Sequence, residues 1–152
     1  MKIEVLDTTL RDGAQAEGVT LSIDDKAECI RLFDDLKIDY IEAGTPFANP
    51  KDKKLLCDDD VKTANSHLVA FGSTRHKNNL TDEDSALNLL SLSKTQFVSV
   101  VGKSSVTQAE KVLQVSAQDN LKMIYDSIRF LCDRNKTVFF DAEHFFDGYK
   151  EN

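Results

Sequence analysis

No stretch of the sequence strings together the ~20 apolar residues that a bilayer-spanning helix requires. A secretory leader is missing from the reading as well: Met1 runs almost at once into Ile3–Leu6, with no basic segment and no long apolar segment. Proline and glycine are sparse, 2 and 6 in 152 residues, while 41% of the chain is hydrophobic and 30% charged. That balance excludes a disordered or low-complexity chain and predicts a folded, soluble single domain. Cysteine is scarce too. Cys29, Cys57 and Cys132 are odd in number, widely spaced and set in segments that read as helical. A disulfide framework and a C-x-x-C metal site are therefore not expected, and a reducing, cytoplasmic setting is. Positive charge is the last deficit: 19 Lys and Arg against 26 Asp and Glu leave a formal −7. A nucleic-acid or membrane-surface role needs a basic patch and is disfavoured. The one basic cluster, Arg75-His76-Lys77, reads as a solvated loop.

What is present is an alternation. Short apolar runs occur at Ile3–Leu6, Tyr40-Ile41, Leu68–Phe71, Phe97–Val101 and Val138–Phe140. They are β-branched or aromatic and lack polar alternation, as parallel strands buried on both faces do. Helix signals lie between them. Ser22 with Asp25 makes a capping box ahead of the stripe Ile23, Ala27, Ile30, Phe33 and Leu36. Asn49-Pro50 can start a second helix, whose middle meets the acidic run Asp58-Asp59-Asp60. Thr81 with Asp84 and Ser116 with Asp119 repeat the capping box, and a short extra helix is predicted over Ala109–Leu113. The order βαβαβαβαβ implies a parallel sheet with right-handed crossovers. Two α/β folds compete: strands 1 to 5 of a partial TIM (β/α)8 barrel, and a five-stranded doubly wound open parallel sheet. A barrel takes ~250 residues, so this chain would supply only part of one. The end at Tyr149-Lys150-Glu151-Asn152, just beyond a strand with no helix predicted to cover it, favours the partial barrel.

Polar residues follow nearly every strand: Asp7, Arg11, Asp12 and Gln15 after the first, Glu42 after the second, and Ser73, Thr74 and Arg75 after the third. Lys103 follows the fourth, and Asp141, Glu143 and His144 the fifth. Parallel strands put all of these on one rim, where α/β folds carry their sites. Glu42 directly after Ile41 stands out, because an unpaired buried carboxylate is expensive. The best constellation is Thr9-Leu10-Arg11-Asp12-Gly13-Ala14-Gln15. An Arg beside an Asp in a Gly-containing turn can present an oxyanion-stabilising guanidinium and a metal-binding carboxylate together. By spacing alone a structural salt-bridged turn fits as well.

Leu6-Asp7-Thr8-Thr9-Leu10-Arg11-Asp12-Gly13 resembles the first-strand signature of the metal-dependent aldolase-like barrels, which include isopropylmalate, citramalate and homocitrate synthases and hydroxymethylglutaryl-CoA lyase. Asn49-Pro50-Lys51-Asp52, Leu68 to Arg75, Gly102-Lys103-Ser104-Ser105 and Phe140 to Lys150 resemble the citramalate synthases more narrowly, in collinear order over essentially the whole chain. The resemblance implies an acyltransferase that condenses acetyl-CoA with pyruvate in branched-chain amino-acid (isoleucine) biosynthesis, and a homodimer for the full-length family. It implies Asp12 as a ligand of a divalent metal (Mg, Mn or Zn). It assigns Arg11 to catalysis and substrate binding, Gln15 and Glu42 to substrate binding, and Glu143 to proton transfer. Phe139 stands where 2-oxoglutarate-using relatives carry an Arg, which favours a small monocarboxylic oxo acid. His67 and His76 read as surface residues, His144 as pointing away from Glu143's side, and Lys103 and Arg75 as solvated loop cations.

One departure matters. The family's late His-x-His metal pair has no counterpart here. Residues 1–152 are therefore expected to be the N-terminal part of a single catalytic barrel, inactive in isolation. The alternatives are a non-catalytic half-barrel binding or assembly module and a lyase-type cleavage of a hydroxyacyl-CoA.

Overall fold

A computed structural model describes residues 2–58 and 61–151. Five parallel strands form one sheet in the order β1-β2-β3-β4-β5: Leu6–Asp7, Tyr40–Gly44, His67–Ser73, Phe97–Lys103 and Thr137–Glu143. Each strand lies beside the one before it in sequence. A doubly wound sheet would reverse its strand order partway through, so that alternative is excluded and the barrel-wall order stands. The sheet also curls. Strands β2 and β5 are separated by two others, ~14 Å apart if flat at the usual spacing. Yet the rings of Tyr40 and Phe139 meet edge to face with centroids 5.0 Å apart. Only a concave wall brings them together, and the result is a half-barrel.

Period-two alternation assigns the two faces. Ile41, Ala43, Ala70, Val98 and Val100 point outward into a buried cluster with Ile30, Leu55, Leu56, Leu87, Leu90, Phe130 and Leu131 from the helices. Tyr40, His67, Phe97 and Phe139 point inward and pack ring against ring as an aromatic floor. Above that floor the inward positions mix Glu42, Ser99 and Asp141 with Val69, Phe71 and Val101.

The helices are α1 Ile23–Asp35, α2 Pro50–Lys53 widening into a π turn over Lys54–Asp58, and α3 Ser85–Leu92. They continue with α4 Val106–Gln108, running on through Ala109–Leu113, then α5 Ala117–Cys132 and α6 Phe145–Glu151. Ser22 and Asp25 close the expected capping box, Asn49 accepts from Lys51 N, and Ser116 accepts from Asp119 N. Of the acidic run in the second helix, Asp59 and Asp60 lie outside the described residues.

Three expectations are corrected. The first strand is Leu6–Asp7 rather than Ile3–Leu6, and Ile3 is 75% exposed. β1 has a partner on one side only among the described residues, and its extended approach is held instead by Val5 N donating to Asp39 Oδ2 at 3.0 Å. Thr81 does not cap α3. It opens a 3-10 turn, Thr81–Glu83, and Asp84 is the cap, accepting from Ala86 N and Leu87 N. The third is the helix α6 itself, expected to be absent. It lies against the β4–α4 loop, with Glu151 accepting from the Ser105 hydroxyl, and leaves Phe145, Phe146 and Tyr149 exposed.

Candidate active site

The loop after β1 is wound tightly on one carbonyl. Arg11 N, Asp12 N and Gly13 N all donate to Thr8 O, at 3.1, 2.8 and 3.2 Å, while the Asp7 carboxylate takes Thr9 N. Leu10, fully buried, anchors the loop in the core. Arg11 is thereby carried over the strand ends. Its guanidinium lies 3.9 Å above the Phe71 ring, Nε donates to Glu42 Oε2 at 2.5 Å, and Nη1 meets Asp12 Oδ1 at 3.0 Å. Planar stacking combined with a directional ion pair uses what guanidinium has and ammonium lacks.

Glu42 is the enclosed partner, its side chain 2% exposed against 15% for Arg11. Burial pushes its carboxyl above the ordinary value. Arg11 and the Ser99 hydroxyl pull the other way, and the Asp141 carboxylate adds to the rise. That last influence links β5 to β2 across the concavity.

Asp12 is 63% exposed on its side chain and free on its outer face to meet a ligand. Among the described residues no three His, Cys, Asp or Glu side chains cluster to hold a metal ion. A tight divalent site needs several ligands held together, so the residues described do not by themselves fit one; Asp12 is a single carboxylate. Gln15 sits in the 3-10 turn Gly13–Gln15 and, with Arg11, Lys26, Thr45 and Lys51, lines a cleft of about 350 Å³. Glu143 stands at the end of β5, on the inward-facing register, ion-paired with Lys103 of β4. The structure thus joins Arg11, Asp12 and Glu42 in one bonded cluster, puts Gln15 on its flank and sets Glu143 in a second cluster with Lys103.

The readings of the cations change, while His67 and His76 lie at the surface as expected. Arg75 is no solvated loop residue: its side chain is 11% exposed, bonded to Asp126 and to the carbonyls of His76, Lys77 and Asn79. Lys77 Nζ reaches Leu113 O at 3.0 Å, so Arg75 and Lys77 are both tied into the wall. Lys103 is likewise paired, not solvated, at 15% side-chain exposure. His67, though exposed, belongs to the aromatic floor, with its ring 4.7 Å from that of Phe97. His144 leaves the strand with a left-handed φ of 59° and meets Asp147 at 3.4 Å. Phe139 forms part of the floor, its ring against those of Tyr40 and Phe97.

Sequence reasoning missed one buried pair. Lys26 Nζ bonds Asp52 Oδ1 at 2.6 Å and Ala43 O at 2.9 Å, with side chains 6% and 7% exposed. Asp52 also takes Thr45 N, and it fills the space a side chain at Gly44 would need; Gly44 has φ +155°. The signal was available, since Lys26 lies four residues before the buried Ile30 and shares its helix face.

Residues 2–151 match the family described as HMGL-like. The chain is 43% identical over 152 residues to an (R)-citramalate synthase of Aquifex aeolicus and 42% identical over 151 residues to that of Sulfolobus acidocaldarius. In both cases 99% of this chain is covered but 29% of the relative, so the chain spans less than a third of those proteins' length. A 2-isopropylmalate synthase of Shouchella clausii is 32% identical over 142 residues. Among solved structures, an HMG-CoA lyase of Bacillus subtilis superposes with TM-score 0.70 at 19% identity, over 91% of this chain and 45% of that one. Another, from Acinetobacter baumannii and solved with coenzyme A and 3-methylmalate, gives TM-score 0.64 at 16% identity.

Proposed function

The chain belongs to the HMGL-like family, and from that premise we propose that it forms the N-terminal part of a catalytic barrel condensing acetyl-CoA with pyruvate to citramalate. The similarity to (R)-citramalate synthases at above 40% identity supports the choice of reaction. The observation that carries the reading is the Arg11 guanidinium, fixed by Phe71 and a buried Glu42 above the strand ends beside an exposed Asp12. A cation held this way costs no reorganisation when negative charge develops on an oxygen.

In the proposed sequence Glu143 takes a proton from the acetyl methyl group. The enolate carbon forms a bond to the ketone carbon of pyruvate, whose oxygen gains negative charge facing Arg11. That oxygen takes up a proton to become the hydroxyl of the product and Glu143 gives its proton up to solvent, after which water adds to the thioester, releasing CoA and the second carboxylate. Glu42 keeps Arg11 aimed, and Gln15 borders the cleft in which the substrates meet. The aromatic floor closes the concave face from below, and Phe139 within it supports a small oxo acid over one with a second carboxylate. A divalent metal, if Asp12 serves one, would act as a Lewis acid on the oxo acid. Its remaining ligands would come from the part of the relatives' length that this chain does not span.

Working in a dimer belongs to the same proposal. For setting, among the described residues no helix is long and apolar enough to cross a membrane. An assembly-module reading is favoured by the inward aromatic face and the exposed Phe146 and Tyr149, both 74% exposed; a monomer in sedimentation at all concentrations counts against it. The decisive experiment joins residues 1–151 to the remaining length of the Aquifex aeolicus synthase. Pyruvate-dependent CoA release, abolished by Arg11→Ala, is expected from the chimera and not from the chain alone. A folded chimera that makes no citramalate refutes the reading.

A further inference from the structure

We propose that Lys103 is a positioning residue that holds the Glu143 carboxylate in place for proton transfer. The inference rests on the proposed function for Glu143's role but on the structure for the contact. Lys103 and Glu143 are register partners on adjacent strands, both inward-facing, and their side chains form an ion pair. The burial is unequal: the lysine side chain is 15% exposed and the glutamate 42%. The ammonium is thus the embedded element and the carboxylate the presented one.

The lysine's own position is pinned. Asn120, 6% exposed, donates from Nδ2 to Lys103 O at 2.8 Å, and Ser104 N donates to Glu143 O at 3.0 Å. Directly after Glu143 the chain turns away through the left-handed His144. The carboxylate therefore sits at the last extended position of β5, where a Glu side chain without a partner would sample many rotamers. A proton acceptor displaced by ~1 Å can lose about 10²-fold in rate. Lys103 removes that freedom, and its pairing takes it out of service as a contact for a substrate phosphate.

Two measurements test this. In the chimera, Lys103→Met lowers kcat by about 10²-fold while KM for pyruvate stays within about 3-fold, and Lys103→Arg recovers most of the rate. In the 152-residue chain, ammonium-selective nitrogen NMR shows a slowly exchanging Lys103 Nζ signal that disappears on Glu143→Gln. An unchanged kcat in the Met variant, or a loss confined to KM, overturns the positioning role. An ammonium signal indifferent to Glu143→Gln overturns the pairing itself. A wild-type chimera that makes no citramalate removes the proposed reaction, and the NMR comparison then decides the pairing on its own.

Discussion

Lys26→Met should be among the most damaging single substitutions outside the candidate site. The ammonium has two partners, Asp52 Oδ1 at 2.6 Å and Ala43 O at 2.9 Å, in a setting where both charged side chains are under a tenth exposed. Methionine replaces the stem with little change in volume, so the loss is chiefly electrostatic. It leaves the Asp52 carboxylate buried with Thr45 N, at 2.9 Å, as its remaining hydrogen-bond donor. Breaking one side of a buried pair costs about 3–5 kcal/mol. For a domain near this size each kcal/mol lowers Tm by about 2–4 °C, so a fall on the order of 10 °C is expected. Adding Asp52→Asn removes the uncompensated charge while leaving an acceptor for Thr45 N. The double variant should therefore regain about 2 kcal/mol relative to Lys26→Met alone. Equilibrium urea unfolding followed by circular dichroism, with m unchanged across the series, reads all three values. A Lys26→Met loss below about 1 kcal/mol, or a double variant no more stable than the single, refutes the reasoning.

Burial holds the Glu42 carboxyl above its ordinary value of 4.5 despite Arg11 and Ser99. The folded state therefore binds that proton more tightly than the unfolded one. The associated stability is full below the unfolded value and is lost as pH rises through the folded value. Relative to Glu42→Gln, the wild type should lose ground as pH is raised from 4 towards 7; a difference that is flat in pH, measured by urea unfolding, contradicts this. Asp84 behaves oppositely. Burial would raise its carboxyl, but donors from His76, Leu87, Asn79 and Ala86 outweigh it and hold it below 3.8. Asp84→Ala should cost about 2–4 kcal/mol at neutral pH, combining a lost cap with stranded donors, and the gap should narrow as acid protonates the wild-type carboxylate. Gly44→Ala forces a side chain against the Asp52 carboxyl at φ +155° and should cost at least about 2 kcal/mol; a neutral result in thermal unfolding would show that the Asp52 anchor yields easily.

The caps of α1, α2 and α5 are readable from sequence because their partners lie two or three residues away. Thr81 misled for the same local reason: a hydroxyl three residues before an acid is also the start of a 3-10 turn, and the choice between them is made by His76 and Asn79 donating to Asp84. The strand order, and with it the half-barrel, was one of two options until pairing was known. Arg11, Glu42 and Glu143 could be placed on one rim by topology. What could not be read were the partners of the cations. Arg75 meets Asp126 across 51 residues and Lys103 meets Glu143 across 40. Charge in a loop looks alike whether it faces water or a carboxylate brought in by a later strand. The helix α6 escaped because its seven residues, Phe145–Glu151, are too few for an apolar stripe to repeat and include Gly148, a poor helix former.

The order of the wall has a consequence for synthesis. Every strand pairs with the one made just before it, and no described strand waits for a distant partner between two earlier ones. A chain emerging N-terminus first can therefore dock β2 on β1, then β3 on β2, growing the sheet at one edge as each βα unit leaves the ribosome. Nothing already laid down has to be pried open. Such a wall can pause at any strand with its finished part in register, and the growing edge is the surface a chaperone would have to guard.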